Sequence, residues 1–177
     1  NNSYYYINWK VSDNMSTLSV DTIQGQTTAA NVKLPAGSIV QVATDKVAGN
    51  VSSTGTSYVD SGLSIAFTPK FASSILELSL MGGRLYIQAV GQQLDVRVRD
   101  GSGASVGNIT DQRMSSHYDN ASTSIHLGNY AGYFTIPATN TSARTYKVTY
   151  AAGGGTTSYF NNGSVFEVYF VIREIAQ

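Results

Sequence analysis

The residues that could bind a metal ion lie together in one polar stretch of the chain. His117 and Asp119 are separated by a single residue, Asp111 precedes them, and His126 is the only other histidine. A protein zinc site takes at least three side-chain ligands, and Asp111 is the only nearby third candidate. We therefore predict no metal site and interpret both histidines as residues that make ordinary hydrogen bonds.

The sequence also offers no specific arrangement for catalysis. Serine is common, but no Gly-x-Ser-x-Gly sequence joins a predicted strand to a helix, as in the nucleophile elbow of hydrolases. Asp100 and Asp111 flank the glycine-rich sequence GSGASVGN, where aspartate is a favoured turn residue. Neither GSGASVG nor AAGGG is followed by the lysine and helix of a phosphate-binding loop. We predict no catalytic residue and no cofactor, and the chain is not expected to be an enzyme.

The aromatic residues point to binding instead. The chain has twelve Tyr and one Trp, and such side chains are enriched at protein interfaces. Residues 111–129 show no periodic pattern and are predicted to form a long loop, which is typical of a functional segment. Candidates for an exposed binding surface in this loop are His117, Tyr118, Asp119 and Asn120. The alternative for the tyrosines is core packing, and Tyr133 is predicted to point inward.

Alternating apolar and polar residues predict the strands that carry these segments. SILELSLMGGRLYIQAV is predicted to be a hairpin that turns at Gly82 and Gly83, where a tight turn needs positive φ. QLDVRVRD and RTYKVTY are predicted to be strands with one apolar face each. The inward residues are predicted to be Leu94, Val96, Val98, Tyr146, Val148 and Tyr150.

The last segment, SVFEVYFVIREI, is almost continuously apolar from Phe166 to Ile172. Such a segment is predicted to be a central strand that is covered on both faces; a buried helix is the alternative. No other segment shows helical periodicity. The spacing of strands and turns predicts an all-β fold, an antiparallel, jelly-roll-like β-sandwich with an extended N-terminal arm.

The composition limits the partners. Charged residues make up only 12% of the chain and the formal net charge is zero, whereas ordinary domains have about 25% charged residues. No basic surface for nucleic acid is expected, and no apolar run approaches the ~20 residues that cross a bilayer. A nearly neutral surface favours a subunit held in an assembly.

The domains are predicted to be an assembly arm at residues 1–36 and the β-sandwich at residues 37–177. In the arm, spaced apolar and aromatic residues suit a segment that lies extended over another surface. The arm candidates are Tyr4, Tyr5, Tyr6, Trp9, Leu18, Val20, Ile23 and Leu34. The alternative for the aromatic N-terminus is a segment without fixed structure.

The segment MSTLSVDTIQGQTTAANVKLPAGSIVQV resembles the start of virion structural proteins of tailed bacteriophages, in particular the cyanophage and marine-phage proteins described as tail fibres. The similar features are Met-Ser-Thr-Leu-x-Val-Asp at residues 15–21, a hinge and strand at residues 35–42, and the ending VIREIAQ. TSYVDSGLSIAFTP is similar to the first hairpin of their body domain. The resemblance covers most of residues 15–177 and excludes residues 1–14.

The resemblance implies a β-sandwich displayed on the virion surface, without cofactor or catalysis. It implies a homotrimer whose arm attaches or interlocks subunits. The expected partners are copies of the chain, other virion proteins and a host surface glycan or receptor, with no nucleic acid and no membrane insertion. Tail-fibre or receptor-binding function is the first hypothesis. A capsid decoration (cement or head-fibre) protein is the second, and a carbohydrate-binding module is the third.

Overall fold

The computed structural model describes residues 34–87, 91–106, 113–118, 126–153 and 157–177, with the backbone alone for residues 113, 115–118 and 126–128. In these ranges the chain forms ten β-strands and no helix. The strands are β1 (Ile39–Ala48), β2 (Val51–Ser53), β3 (Val59–Phe67), β4 (Ile75–Ile87), β5 (Gln93–Asp100), β6 (Arg113–Tyr118), β7 (His126–Pro137), β8 (Arg144–Ala152), β9 (Ser158–Asn161) and β10 (Glu167–Ile175).

The strands form two antiparallel sheets. The six-stranded sheet has the order β1-β10-β4-β9-β2, with β7 on the other edge of β4, and the four-stranded sheet has the order β3-β8-β5-β6. β4 is 13 residues long, so it pairs with β10 over its first part and with β9 at its end, while β7 follows it along the opposite edge. The predicted antiparallel β-sandwich is confirmed.

The core lies between the two sheets and is built from alternate residues of their strands. The predicted inward residues Leu94, Val96 and Val98 on β5, and Tyr146, Val148 and Tyr150 on β8, are all buried. The ring of Phe160 on β9 lies 4.9 Å from that of Tyr130 and 5.3 Å from that of Tyr150. Each fully buried large side chain contributes about 1.5–3 kcal/mol, and the chain has no cysteine, so packing and strand pairing hold the body together.

Gly82 and Gly83 do not form the predicted hairpin turn, and that prediction was wrong. They form a bulge inside the continuous strand β4, with φ of +81° and +69°, and the register with β7 shifts between Gly82 and Leu85. A Cβ atom on Gly83 would lie 2.3 Å from Cγ2 of Val168. Before the bulge the even-numbered residues up to Leu80 point inward, and after it the odd-numbered residues from Leu85 do. The leucines on both sides of the bulge therefore face the core.

TSYVDSGLSIAFTP, for which the resemblance implies a hairpin, instead contains the single strand β3, Val59–Phe67. β3 pairs with β8 throughout, and its register shifts between Asp60 and Ser64 around Gly62, which has φ +87°. Oδ1 of Asp60 accepts a hydrogen bond from the Gly62 amide at 2.9 Å. In both segments a glycine at positive φ marks a bulge within one strand.

Residues 111–129 are not one long loop, because β6 and the beginning of β7 lie within this range. The backbone of β6 pairs with β5, so that Leu94 is opposite His117 and Gln93 is opposite Tyr118. The loop prediction was wrong here because β6 has the sequence RMSSHY. Its mostly polar residues show no alternation of apolar and polar types. This segment forms a strand because its backbone pairs with β5.

Tyr133 points outward, contrary to the prediction, and its side chain is 62% exposed. The inward residues of β7 are Tyr130, Gly132, Phe134 and Ile136, which lie on the alternate positions. A Cβ atom on Gly132 would lie 2.9 Å from the backbone oxygen of Met114, so no side chain fits there. The glycine interrupts the apolar pattern and hides the true phase of the strand.

The predicted central position of the last strand is confirmed, since β10 lies between β1 and β4. Val168, Phe170 and Ile172 face the core and are fully buried, and Val171 on the other face is also buried. Tyr169 on that other face is 38% exposed. The predicted cover of both faces is therefore complete on the core side and partial on the outer side.

A buried carboxylate, Glu174, fixes the connection between β3 and β4. Its oxygens accept hydrogen bonds from the amides of Lys70 and Phe71 at 2.9 Å, the hydroxyl of Ser74 at 2.7 Å and the side-chain amide of Gln41 at 2.7 Å. Burial raises the pKa of Glu174, but the bonds from Lys70, Ser74, Phe71 and Gln41 together lower it below its ordinary value. Glu174 thus links β1, β10 and the connection in one network.

The first and last described segments of the body lie side by side. The Gly37 amide donates to the Ala176 carbonyl at 2.8 Å, and the Ala176 amide donates to the Ser38 carbonyl at 2.9 Å. Near the other end of β1, Oδ2 of Asp45 accepts a hydrogen bond from the Ser64 amide at 2.8 Å. This carboxylate ties the edge of the six-stranded sheet to β3, the edge strand of the four-stranded sheet.

Candidate interaction surfaces

The solvent-facing side of the six-stranded sheet, here called the outer face, exposes large apolar side chains. Val42 is 52% and Tyr133 is 62% exposed, and Met81 and Tyr169 are also exposed. Strand register makes Met81 and Tyr169 direct neighbours, and Tyr133 lies opposite Ser79 on the same row of β4. Neighbouring strands are about 4.8 Å apart, so Met81, Tyr133 and Tyr169 lie close together on three strands, and Val42 lies on the same face of β1, opposite Arg173.

Four charged residues of the outer face form two ion pairs, and Arg84 on the same side of β4 lies over the Phe166 ring, with its guanidinium carbon 5.6 Å from the ring centre. Nζ of Lys46 lies 2.6 Å from Oε1 of Glu167, and Arg173 is bonded to Glu77. The hydrogen bond between Lys46 and Glu167 raises the pKa of Lys46 and lowers the pKa of Glu167. The outer face therefore combines exposed apolar side chains with paired charges, which is the character of a protein contact surface.

The outer side of the four-stranded sheet carries a groove of different character, here called the cationic groove, with a volume of about 330 Å³. It lies over β5 and β8, between the start of β3 and the turn that follows β5. Its lining includes Tyr58, Asp60, Arg97, Arg99, Lys147 and Thr149. Strand register places Arg99 opposite Lys147 and Arg97 opposite Thr149.

Most of the binding residues predicted from sequence lie outside what the structure describes. This holds for Asp119, Asn120 and all the arm candidates except Leu34, which is exposed at the start of the body. For His117 and Tyr118 the structure describes only the backbone, in β6. Their roles in binding and assembly therefore stay predictions.

Both surfaces were missed from sequence, although Arg97 and Arg99 alternate with the buried residues of β5 and so could be placed on its outer side. The sequence does not give the register between β5 and β8, which places these arginines beside Lys147 and Thr149. Within the described ranges no group of three metal-binding side chains occurs. No helix in those ranges is long and apolar enough to cross a membrane.

Comparisons with known proteins find a likeness of fold only. No model of a protein family matches the chain, and no curated protein matches it. Among solved structures, it is similar to the infectious bursal disease virus VP2 subviral particle, with a TM-score of 0.38 and 13% identity over 79% of this chain and 39% of that chain. It is also similar to a structure of the Gx strain of that virus, with a TM-score of 0.39 and 14% identity over 77% of this chain and 37% of that chain.

A third similar structure is that of T=1 particles derived from infectious bursal virus, with a TM-score of 0.32 and 13% identity over 79% of this chain and 37% of that chain. The chain thus spans about two fifths of the length of the proteins it resembles. At TM-scores this low, these likenesses carry no conclusion about function.

Proposed function

We propose that the chain is a non-enzymatic structural protein of a tailed-bacteriophage virion, of the tail-fibre or receptor-binding type, displayed on the particle surface. Its body packs against other copies through the outer face, and its N-terminal arm attaches the subunit. The sequence resemblance at residues 15–21 and 35–42 supports the class of protein. The low charge of the chain supports a role inside an assembly.

The outer face is the observation that carries the proposal. A freely diffusing monomer gains nothing from exposing Val42, Met81, Tyr133 and Tyr169 on one face, whereas burial in an interface stabilises such side chains. Since the paired charges already neutralise one another, the face needs no charged partner. A second copy of a chain with zero net charge meets that condition.

The oligomeric mass of the full-length chain tests the packing. We expect a trimer in light scattering, and we expect V42E to shift the mass to the monomer because it places a charge in the buried interface. Val165 is 82% exposed in the connection before β10, so V165E is the matched control and should leave the mass unchanged. A monomeric unsubstituted chain, or equal effects of the two variants, would contradict the proposal.

The arm is tested on the particle. In the triple variant L18S/V20S/I23S, the chain should no longer be incorporated into the virion. The circular dichroism spectrum of the purified variant should equal that of the unsubstituted chain. Gold label on the chain should mark the tail. Label on the head would contradict the tail-fibre assignment, and it would instead agree with a decoration protein.

Receptor binding is tested on host cells. The double variant H117A/Y118A should reduce adsorption of the virion to host cells. Incorporation of the variant chain into the virion should be unchanged. Unchanged adsorption would contradict the role predicted for these two residues.

A further inference from the structure

The connection between β9 and β10 contains the only Asn-Gly pair of the sequence, Asn162-Gly163. Asparagine before glycine is the dipeptide most prone to spontaneous loss of the side-chain amide, because glycine has no side chain that hinders attack by its own backbone nitrogen. Asn162 is partly exposed, so water can reach it. The chain thus carries the sequence requirement for a covalent modification in a connection that solvent reaches.

The reaction consumes only water. The backbone nitrogen of Gly163 attacks Cγ of Asn162, the new C–N bond closes a succinimide ring, and the side-chain nitrogen leaves as ammonia with the proton of the Gly163 amide. Water then opens the ring at either carbonyl and gives aspartate or isoaspartate. In isoaspartate the main chain runs through the side-chain methylene and is one carbon longer. The rate therefore depends on how freely the Gly163 nitrogen can lose its proton and reach Asn162.

The structure holds this nitrogen in a hydrogen bond. The Gly163 amide donates to Oδ1 of Asn50 at 2.6 Å, and Asn50 lies in the turn between β1 and β2. The Asn162 amide donates to the Arg84 carbonyl of β4 at 2.7 Å. The two backbone amides that flank the Cα of Asn162 are therefore tied to other segments, and the bond to Asn50 must break before the Gly163 nitrogen can attack.

The fold also requires glycine at residue 163. Its φ is +120°, and a Cβ atom there would lie 2.9 Å from Cδ2 of Phe166. A larger residue would slow the reaction, but it does not fit this backbone conformation. The connection thus keeps a vulnerable dipeptide, and the side chain of Asn50 is the group that protects it.

The residue before the pair makes the body sensitive to the modification. The side chain of Asn161 is fully buried. It accepts a hydrogen bond from the Arg84 amide at 3.0 Å and donates to the carbonyls of Gly49 at 2.9 Å and Phe166 at 2.8 Å. A main chain that is one carbon longer between Asn161 and Phe166 would displace one of these partners from the other two. The isoaspartate form should therefore be less stable than the intact chain.

We propose that Asn162 is the site at which the chain deamidates spontaneously, and that Asn50 sets the rate of this modification. While Asn50 accepts the hydrogen bond from Gly163, the folded chain is protected. The inference uses only the β9–β10 connection and the turn between β1 and β2, so it does not depend on the assembly role proposed above.

Peptide mass spectrometry of the full-length chain in mildly alkaline buffer tests the site. Trypsin cuts after Lys147 and Arg173, so one peptide carries both Asn161 and Asn162, and its fragmentation distinguishes them. In the urea-unfolded chain, Asn162 should deamidate before any other asparagine. In the folded chain it should react at least about tenfold more slowly, since that is the factor which one hydrogen bond provides. N162Q should remove the product.

Substitutions at residue 50 test the protection. N50A should speed the reaction of the folded chain about tenfold, whereas N50D should keep it slow, because a carboxylate oxygen still accepts from the Gly163 amide. N140A is the matched control, because Oδ1 of Asn140 likewise accepts a backbone amide, that of Ser142 at 2.9 Å, in an exposed connection. N140A should leave the rate at Asn162 unchanged, and all three variants should match the unsubstituted chain when unfolded.

Hydrogen exchange separates local protection from global stability. In N50A only the amides of the β9–β10 connection should exchange faster, and the deamidated chain, isolated by its added negative charge, should unfold at a lower urea concentration than the intact chain. The proposal is overturned if the folded and unfolded chains react equally fast at Asn162, or if another asparagine reacts first in the unfolded chain. It is also overturned if N50A does not speed the reaction, if N140A speeds it as much, or if exchange in N50A rises throughout the body.

Discussion

Replacing Glu174 measures how much a single buried carboxylate stabilises the body. In E174A, four donors lose their acceptor: the amides of Lys70 and Phe71, the hydroxyl of Ser74 and the side-chain amide of Gln41. At about 1 kcal/mol net for each hydrogen bond, the loss is about 4 kcal/mol. That is a large part of the ~5–15 kcal/mol by which a domain is stable.

The isosteric variant E174Q separates shape from charge. Its amide oxygen can still accept from Lys70, Phe71 and Ser74, but its NH₂ group faces the NH₂ group of Gln41, so we expect a loss of about 1–2 kcal/mol. The matched control is E167Q, because Glu167 lies on the same strand in an exposed ion pair and should change stability much less. Urea denaturation of the full-length variants, followed by circular dichroism, gives the free energies of unfolding.

The pH dependence gives an independent test of the same carboxylate. Since the pKa of Glu174 in the folded protein is below its ordinary value of 4.5, its stabilising contribution is complete above pH 4.5 and is lost as the pH falls through the lower folded pKa. The stability difference between the unsubstituted chain and E174Q should therefore be constant near neutral pH and shrink in acid. A difference that grows in acid, or a cost for E174A below about 1 kcal/mol, would refute the role assigned to this network.

Four further substitutions, one of them a control, test the strand geometry by urea denaturation. G83A should cost about 3 kcal/mol, since it adds a Cβ 2.3 Å from Val168 at positive φ. G103A, also at positive φ but with nothing within 4 Å, should cost only about 1 kcal/mol; equal costs would argue against crowding at the bulge. N161A removes a fully buried side chain that bonds the amide of Arg84 and the carbonyls of residues 49 and 166, and it should cost about 3 kcal/mol; a neutral result would exclude this bridge. S79A removes a buried hydroxyl that has no partner among the described residues; it should be neutral or stabilising by up to about 1 kcal/mol, and a clear loss would show that the hydroxyl is bonded.

The strands that could be predicted from sequence are those whose pattern depends on one face alone. On β5 and β8 every second residue is apolar, and the buried residues are the predicted ones. For β4 the pattern is ambiguous in principle. A two-residue turn at Gly82 and Gly83 would also place Leu80 opposite Leu85 on one face, so the same leucines fit a hairpin and a bulged strand.

The surfaces could not be predicted because they depend on contacts between distant segments. The cationic groove exists because β5 pairs with β8, and the alternation within each strand says nothing about which residues lie opposite one another. On β7 the phase was hidden by Gly132, whose inward position is required by the nearby backbone of Met114. In each case the sequence does not show which residue of a distant segment lies next to the residue in question.

The pairing of β1 with β10 has a mechanical consequence. The start of β1 lies beside the end of β10, with Ile39 opposite Ile175. A force that pulled residue 37 away from residue 176 would load the hydrogen bonds one at a time, like a zipper. Attachment through one end alone applies no opposing force at the other end and so does not open this ladder, and a single point of attachment therefore suits the body better than suspension between both ends.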